Sequence, residues 1–406
     1  MTDISVIDRP CGIGKSTGLI AYLKTTKIKK ILLVVPELGE VTRFTGALGY
    51  EAPVASPTAS KTVQLIDMLN RGVNVVITHS LYERIRRFDH LLPSYSVVID
   101  EVPTVAKQVH TVFGPGVFSN LLYEKPYIKI DPDTQLITAT GNWLVDEDAY
   151  GDGSDVDIQK FMAKIQSADV YYIKGTYCLM PLPDAFFTKP KSLTILTFMF
   201  KGTQLEHYMS KRGYEYTIQS DPNELALFKY EMNSLLQVFN RTTDVKTGYE
   251  VMTAKASKKR KMVGHWIKNV MQTLNKGGTV FTPDMILAAS SKDAWYGKEE
   301  NDNSKVTNAT SLKTLSRLGK ATYTAMVTRG TNKFKDKTVL VIAGKVNLHP
   351  DLAQYLGMQT KEAKDAHTLS ELIQLIYRTG IRDKKEVFLI SADADNIDLL
   401  REFITT

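Results

Sequence analysis

Gly12, Gly14, Lys15 and Ser16 stand in the order that phosphate binding needs. They belong to Ile4-Ser-Val-Ile-Asp-Arg-Pro-Cys-Gly-Ile-Gly-Lys-Ser-Thr17, where an apolar run precedes the glycines and a helical run, 18–23, follows. A strand that enters a helix through such a loop points backbone N–H groups inward at the positive end of the helix dipole. Together these make an anion cradle. Gly12 and Gly14 let the backbone approach phosphates closely, Lys15 can reach β- and γ-phosphates, and Ser16 can ligate Mg²⁺. Pro10, Cys11, Ile13 and Thr17 complete the loop. Its first position, glycine in the full pattern, is Arg9, so the tight turn falls to Pro10-Cys11-Gly12. The expected ligands are ATP and Mg²⁺.

A second group of residues suits the same ligands. The apolar run Ser96-Val-Val-Ile ends in Asp100 and Glu101. In an α/β sheet the ligand crevice lies beyond the C-terminal ends of the strands. Asp100 is therefore expected to face the phosphate loop and hold Mg²⁺, with Glu101 polarising the attacking water. Two carboxylates at a strand end are often only solvated; their pairing with a phosphate loop in one lobe is what sets these apart.

The elements that must position these groups read as α/β. In 406 residues, roughly 100–200 per domain suggests two domains. Short apolar runs at 4–7, 31–35, 73–77, 97–99, 136–138, 170–173 and 193–198 lack strict alternation, as expected of parallel strands buried on both faces. Their flanks suit helices, which gives a doubly wound pattern. A second, shorter α/β pattern from about 234 has strands at 278–282, 323–327, 339–342 and 387–390, with helices at 258–274, 369–378 and 397–404. Segment 201–232 reads as connector plus edge structure, and the polar 295–306 reads as a loop. The expected domains are 1–225 and 226–406.

Composition narrows the classes. Hydrophobic residues make up 43% and charged residues 23%, which suits buried cores and argues against disorder. No apolar run approaches the ~20 residues that span a bilayer, and the N-terminus does not read as a signal peptide. A cytoplasmic setting is expected. The two cysteines, Cys11 and Cys178, make no disulfide framework, and no Cys/His cluster has metal-site spacing. A net charge of +7 is permissive for a polyanionic partner.

With both motifs in place, the chain resembles superfamily 2 helicases. That resemblance implies two RecA-like doubly wound parallel-sheet domains in tandem. Ile31-Leu-Leu-Val-Val-Pro36-Glu37 looks like the helicase strand whose following loop touches the nucleic-acid backbone. Val75-Val-Ile-Thr78-His79-Ser80 looks like the next strand-end motif, and Leu136-Ile-Thr138-Ala-Thr140-Gly141 like the motif that couples hydrolysis to strand binding. Ser and Thr suit these tasks because hydroxyls make sequence-independent phosphate contacts. In the second lobe, Thr328-Arg329-Gly330-Thr-Asn332 resembles the motif that faces both nucleotide and strand. The resemblance therefore puts Arg329 and Gly330 at the nucleotide, and Pro36, Thr78, His79, Thr138, Thr140, Thr328 and Asn332 on nucleic acid.

Gln374-Leu-Ile-Tyr-Arg378-Thr-Gly-Ile-Arg382 resembles the last helicase motif, whose glutamine and arginines project toward ATP held by the other lobe. The spacing is one residue longer than usual before Arg382. We expect Arg382 to be the arginine finger and Arg378 a γ-phosphate sensor or strand contact. A planar guanidinium neutralises transition-state charge on phosphoryl oxygens. The spelling of these second-lobe strings looks like divergent helicase-like proteins of bacteriophages and mobile elements. The phosphate loop starts too near the first methionine for the glutamine motif that reads adenine in DEAD-box enzymes. With no long appended domain evident, replication or recombination proteins are expected partners in targeting.

Some features fit bland readings as well. The basic run at 255–261, followed by His265 and Trp266, can contact nucleic acid or be a solvated helix start with Trp266 in the core. Arg84, Arg86 and Arg87 can line a strand path or be solvated, and Trp295 and Tyr296 can stack on bases. The function expected is an ATP-dependent helicase or translocase on DNA, more than RNA, in phage replication, recombination or repair. Two other readings use the same residues: a non-unwinding scaffold or loader, and a P-loop phosphotransferase.

Overall fold

The computed structural model describes residues 2–110, 118–124, 126–142, 156–174, 177–239, 257–278, 280–296, 311–326, 333–345 and 347–405. From the N-terminus the strands are β1 (Asp3–Asp8), β2 (Ile31–Val35), β3 (Val75–Thr78), β4 (Ser96–Asp100), β5 (Ala106–His110), β6 (Ile128–Ile130), β7 (Leu136–Ala139) and β8 (Val170–Lys174). They continue with β9 (Tyr177–Pro181), β10 (Ser192–Thr197), β11 (Thr217–Gln219), β12 (Leu236–Val238), β13 (Ile286–Ser290), β14 (Thr322–Ala325), β15 (Val339–Ile342) and β16 (Val387–Ser391). The longer helices are α1 (Lys15–Thr25), α2 (Leu38–Leu48), α3 (Lys61–Arg71), α4 (Val156–Ser167), α5 (Gln204–Lys211), α6 (Pro222–Leu235), α7 (Ser257–Lys276), α8 (Lys361–Ile376) and α9 (Ala394–Thr405).

Three sheets result. The first has the order β11-β1-β10-β4-β2-β3, all parallel. Its strands are buried on both faces. Leu32 and Val34 join one apolar layer with Val97 and Ile99, while Ile31, Leu33 and Val35 join the opposite layer with Val98. Period-two side chains that are apolar at every position have this outcome. Fully burying each such side chain contributes roughly 1.5–3 kcal/mol, so β2, buried at all of its positions, tolerates a polar substitution poorly. The second sheet, β12-β16-β15-β13-β14, is likewise all parallel, with Leu340 and Ile342 on one face and Val339 and Val341 on the other.

The third sheet, β5-β9-β8-β7-β6, is antiparallel and lies between β4 and β10 in the chain. Phe161, Met162 and Ile165 of α4 share its core with Val109, Ile137, Val170 and Cys178. The runs at 136–138 and 170–173, expected in the doubly wound sheet, are β7 and β8 of this one. An apolar run of four or five residues carries no sign of whether its partner runs parallel or antiparallel.

Two further expectations are corrected. The expected strand at 278–282 is not one: Gly278, at φ +89, ends the turn after α7, and the strand begins at Ile286. Its Ala-Ala-Ser end has little β-propensity, which hid it. Trp295 lies in a short helix, Lys292–Tyr296, where it is 2% exposed and stacks on Tyr323 at 5.8 Å. It is therefore not placed to stack on bases; residues 297–306 of the expected loop lie outside the described residues. Trp266 packs against the second-lobe core, and Arg86 pairs with Asp169. The connector at 201–232 resolves into α5, the edge strand β11 and most of α6.

The lobes meet closely. Ala353, Leu356 and Met358 of the second half sit in the first lobe's core, and Lys174 of the antiparallel sheet reaches Asp351 at 2.6 Å. Gly202, at φ +81, lies so near Ala366 of α8 that a β-carbon there would overlap it. No helix among the described residues is long and apolar enough to cross a membrane.

Candidate active site in the cleft between the lobes

The phosphate-loop residues form a turn between β1 and α1, with Gly12 at φ +79 and Gly14 at φ +81. Left-handed backbone costs an L-residue about 1–2 kcal/mol, so glycine is favoured at both positions. Gly14 is also the N-cap of α1, and no side chain caps that helix. By contrast α3, α5 and α8 are capped by Ser60, Thr203 and Thr360. The first turn of α1 thus keeps its N–H groups for whatever enters the cleft. Lys15 Nζ donates to the carbonyls of Arg9 (2.7 Å) and Pro10 (3.1 Å) and lies 5.7 Å above the Phe198 ring.

Arg9, in the glycine position, is tied elsewhere. Its guanidinium grips Glu224 of α6 in a two-bond fork, Nε to Oε2 at 2.7 Å and Nη2 to Oε1. That fork anchors the loop to the helix joining the two sheets, and it holds the Glu224 carboxyl below its usual range.

The acidic pair closes the other wall. Ser16 Oγ donates to Asp100 Oδ2 at 2.9 Å. Asp100 is 5% exposed, and burial raises its carboxyl, opposed by the Ser16 hydrogen bond and the Lys15 charge. The two oxygens are hard donors of the kind Mg²⁺ takes alongside phosphate oxygens, so the residues present fit that ion. Glu101 has φ +66, the left-handed region again. Between β1 and β4 runs β10, whose last residue, Thr197, also lines the cleft.

One cavity of 370 Å³ unites these groups with the second lobe. Its walls include Cys11, Gly12, Gly14, Lys15, Ser16, Thr17, Asp100 and Glu101 from the first lobe. From the second come Gln374, Tyr377, Arg378 and Arg382. Gln374 donates to Ser370 Oγ at 3.3 Å; Arg378 is buried, and Arg382, in the turn after α8, is exposed. Aromatic rings bridge the lobes: Phe198 meets Phe228 of α6 at 5.1 Å, and Phe228 meets Tyr377 at 5.6 Å. Burial, then the neighbouring Cys11, pushes the Tyr377 phenol up to about 12, and burial also raises the Cys11 thiol against the charge of Lys15.

The remaining expected residues divide. Pro36 lines the cavity. Thr78 Oγ1 shares a hydrogen bond with Ser80 Oγ at 3.0 Å, and His79 turns inward, with Nε2 3.0 Å from the Asp100 carbonyl oxygen. Thr138 and Thr140 are not brought to the cleft. Thr138 pairs with Lys129 in the antiparallel sheet, and Thr140 donates to the Pro126 carbonyl at 2.5 Å. The strand beside the acidic pair is β10, and it brings Thr197 to the cleft. Thr328, Arg329, Gly330 and Asn332 lie outside the described residues.

Several cleft residues escaped sequence reading. His367, Ser370 and Glu371 continue the Gln374 face of α8 at helical spacing, a polar stripe that the pattern His-Thr-Leu-Ser-Glu-Leu-Ile-Gln contains. Glu40 and Arg43, an i,i+3 ion pair at 2.5 Å on α2, reach the cavity beside Asp100. Nothing in their spacing marks them. Tyr377 lies inside the Gln374–Arg382 motif, whose recognisable chemistry is that of its glutamine and arginines.

Residues 230–404 match a family model described as the YonV C-terminal Rossmann-like domain. No curated protein matches the chain. Among solved structures the chain resembles one titled XPD_Helicase, at TM-score 0.53 and 13% identity, with 98% of this chain and 95% of that one covered. It also resembles Xpd4 of S. tokodaii, at TM-score 0.50 and 12% identity, covering 100% and 93%. Identity this low carries the fold: two RecA-like parallel-sheet domains in tandem, with an antiparallel sheet inserted in the first.

Proposed function

We propose that this chain is a nucleic-acid-dependent ATP hydrolase, a helicase or translocase of superfamily 2 type. The observation that carries the reading is the single cavity whose walls include Lys15 and Asp100 from one lobe and Gln374, Arg378 and Arg382 from the other. A site split between lobes can open and close as its ligand changes, and that is how hydrolysis becomes movement. The likeness in fold to a structure titled as a helicase supports it.

The roles follow from position. Lys15 and the uncapped turn of α1 bind the triphosphate. Ser16 and Asp100 hold Mg²⁺, which when bound neutralises charge on the phosphoryl oxygens. Glu101 takes the proton of the attacking water. Arg382, exposed in the turn after α8, is the finger, and Arg378 senses the γ-phosphate. Gln374, with Ser370, orients the site. No covalent intermediate is needed, because positioning and charge account for catalysis of this kind. We divide the chain at 225/226.

Thr78 and Pro36 mark the strand path on the first lobe, and Thr328 and Asn332 on the second. Contacts of this kind are to backbone phosphates, so sequence preference is low and salt sensitivity high. The net charge of +7 supports a nucleic-acid partner, and the spelling of the Arg382 motif supports a place in phage DNA metabolism. The test is ATP turnover against single- and double-stranded DNA and RNA. Stimulation by at least one polymer is expected; turnover unchanged by all four ends the reading.

A further inference from the structure

The peptide joining Asp100 to Glu101 is held at both of its polar atoms. The Asp100 carbonyl oxygen lies 3.0 Å from His79 Nε2, and the Glu101 N–H donates to the Leu196 carbonyl at 3.0 Å. A carbonyl only accepts, so His79 must donate from Nε2. Immediately after this peptide Glu101 stands at φ +66, a conformation that a non-glycine residue keeps only when its surroundings impose it.

The two anchors come from either side of β4. Leu196 belongs to β10, the neighbour on one flank. His79 follows Thr78 at the end of β3, which is separated from β4 by β2 and forms the edge of the sheet. The imidazole therefore reaches past the end of β2 to the acidic pair. The residues on either side of it, Thr78 and Ser80, share a hydroxyl hydrogen bond, where the strand path is proposed.

We propose that His79 is a positioning residue that fixes the aim of the Glu101 carboxylate and reports to it whether a nucleic-acid strand occupies the end of β3. This rests on the reading of the cleft as a strand-stimulated ATPase. A phosphate engaged by Thr78 and Ser80 shifts the turn that carries His79, and the His79–Asp100 hydrogen bond links that turn to the Asp100–Glu101 peptide. Stimulation is then a change in the geometry of one peptide, with no change in the phosphate loop.

The full-length chain tests this with His79→Phe, which keeps a ring but loses the donor, and His79→Gln, whose amide N–H can take the place of Nε2–H. His79→Asn is polar but too short to reach, so it probes the same bond without an apolar ring in a half-buried place. Turnover is measured without strand and at saturating strand, together with KM for ATP and thermal unfolding. In the Phe and Asn variants the stimulated kcat should fall on the order of 10- to 100-fold, as misplaced catalytic groups do. Their basal and stimulated rates should converge and KM for ATP should hold, while Gln restores stimulation. Wild-type stimulation in either the Phe or the Asn variant overturns the inference. So does a Gln variant as impaired as Asn. If wild type itself responds to no strand, the proposed function fails instead. Basal kcat then decides the positioning role: loss in Asn with recovery in Gln supports it, and no loss refutes it.

Discussion

The phenol of Tyr377 lies against Gly12, where a β-carbon on the glycine would overlap the hydroxyl and the ring carbon that bears it. One residue belongs to the loop that cradles phosphates, the other to the turn that carries Arg378 and Arg382. A shift of the turn that carries this tyrosine also carries the arginines, so the contact ties the position of that turn to the shape of the phosphate loop.

Gly12→Ala should be costly for two separable reasons. The left-handed backbone, φ +79, disfavours alanine by about 1–2 kcal/mol, and the methyl group collides with Tyr377. Tyr377→Ala removes only the second. Chemical denaturation of both single variants and the double should show Gly12→Ala less damaging in the Tyr377→Ala background, with a coupling of about 0.5–3 kcal/mol. Strict additivity would refute the contact.

Lys15→Ala should abolish ATP turnover and the rise in melting temperature that ATP with Mg²⁺ gives the wild type. Its ammonium, held by the Arg9 and Pro10 carbonyls at the mouth of the loop, stands next in sequence to Ser16, whose hydroxyl donates to Asp100. A variant that turns over ATP at the wild-type rate would remove the phosphate-loop assignment.

Arg378 and Arg382 should separate by replacement. An arginine finger contributes roughly 10³–10⁵ in kcat, so Arg382→Ala should lose the larger part of turnover while ATP still binds. Lysine should rescue poorly, because it lacks the planar fork. Arg378→Ala should in addition lower thermal stability, since the side chain is buried. If both arginines can be removed without loss of turnover, the phosphotransferase reading gains.

Asp100→Asn should make the protein more stable at neutral pH and inactive. Burial raises the Asp100 carboxyl, with Ser16 and Lys15 opposing. A group raised in the folded state favours folding when protonated. That contribution is complete below the unfolded aspartate range, about pH 4, and is lost as pH climbs through the raised folded value. Asparagine never ionises, so the variant's melting temperature should exceed wild type at neutral pH, and the gap should close toward about pH 4. A variant less stable than wild type at neutral pH would contradict this.

What the residues alone determine is local. A strand, a glycine turn and an uncapped helix follow one another in a dozen residues, so Gly12, Gly14, Lys15 and Ser16 are legible without a partner in space. Asp100 and Glu101, at the end of a fully apolar strand, are legible for the same reason. Tertiary structure alone assigned β7 and β8 to an antiparallel sheet, because short apolar runs pair either way and only the neighbour decides. It brought β10, with Thr197, beside the acidic pair, and kept Thr138 and Thr140 in the antiparallel sheet and its flank, away from the cleft. It turned His79 toward Asp100, set Tyr377 on Gly12 and aimed the polar stripe of α8 into the cleft. Each of these joins residues far apart in the chain, and such contacts are settled by packing between sheets and lobes, which no local spacing records.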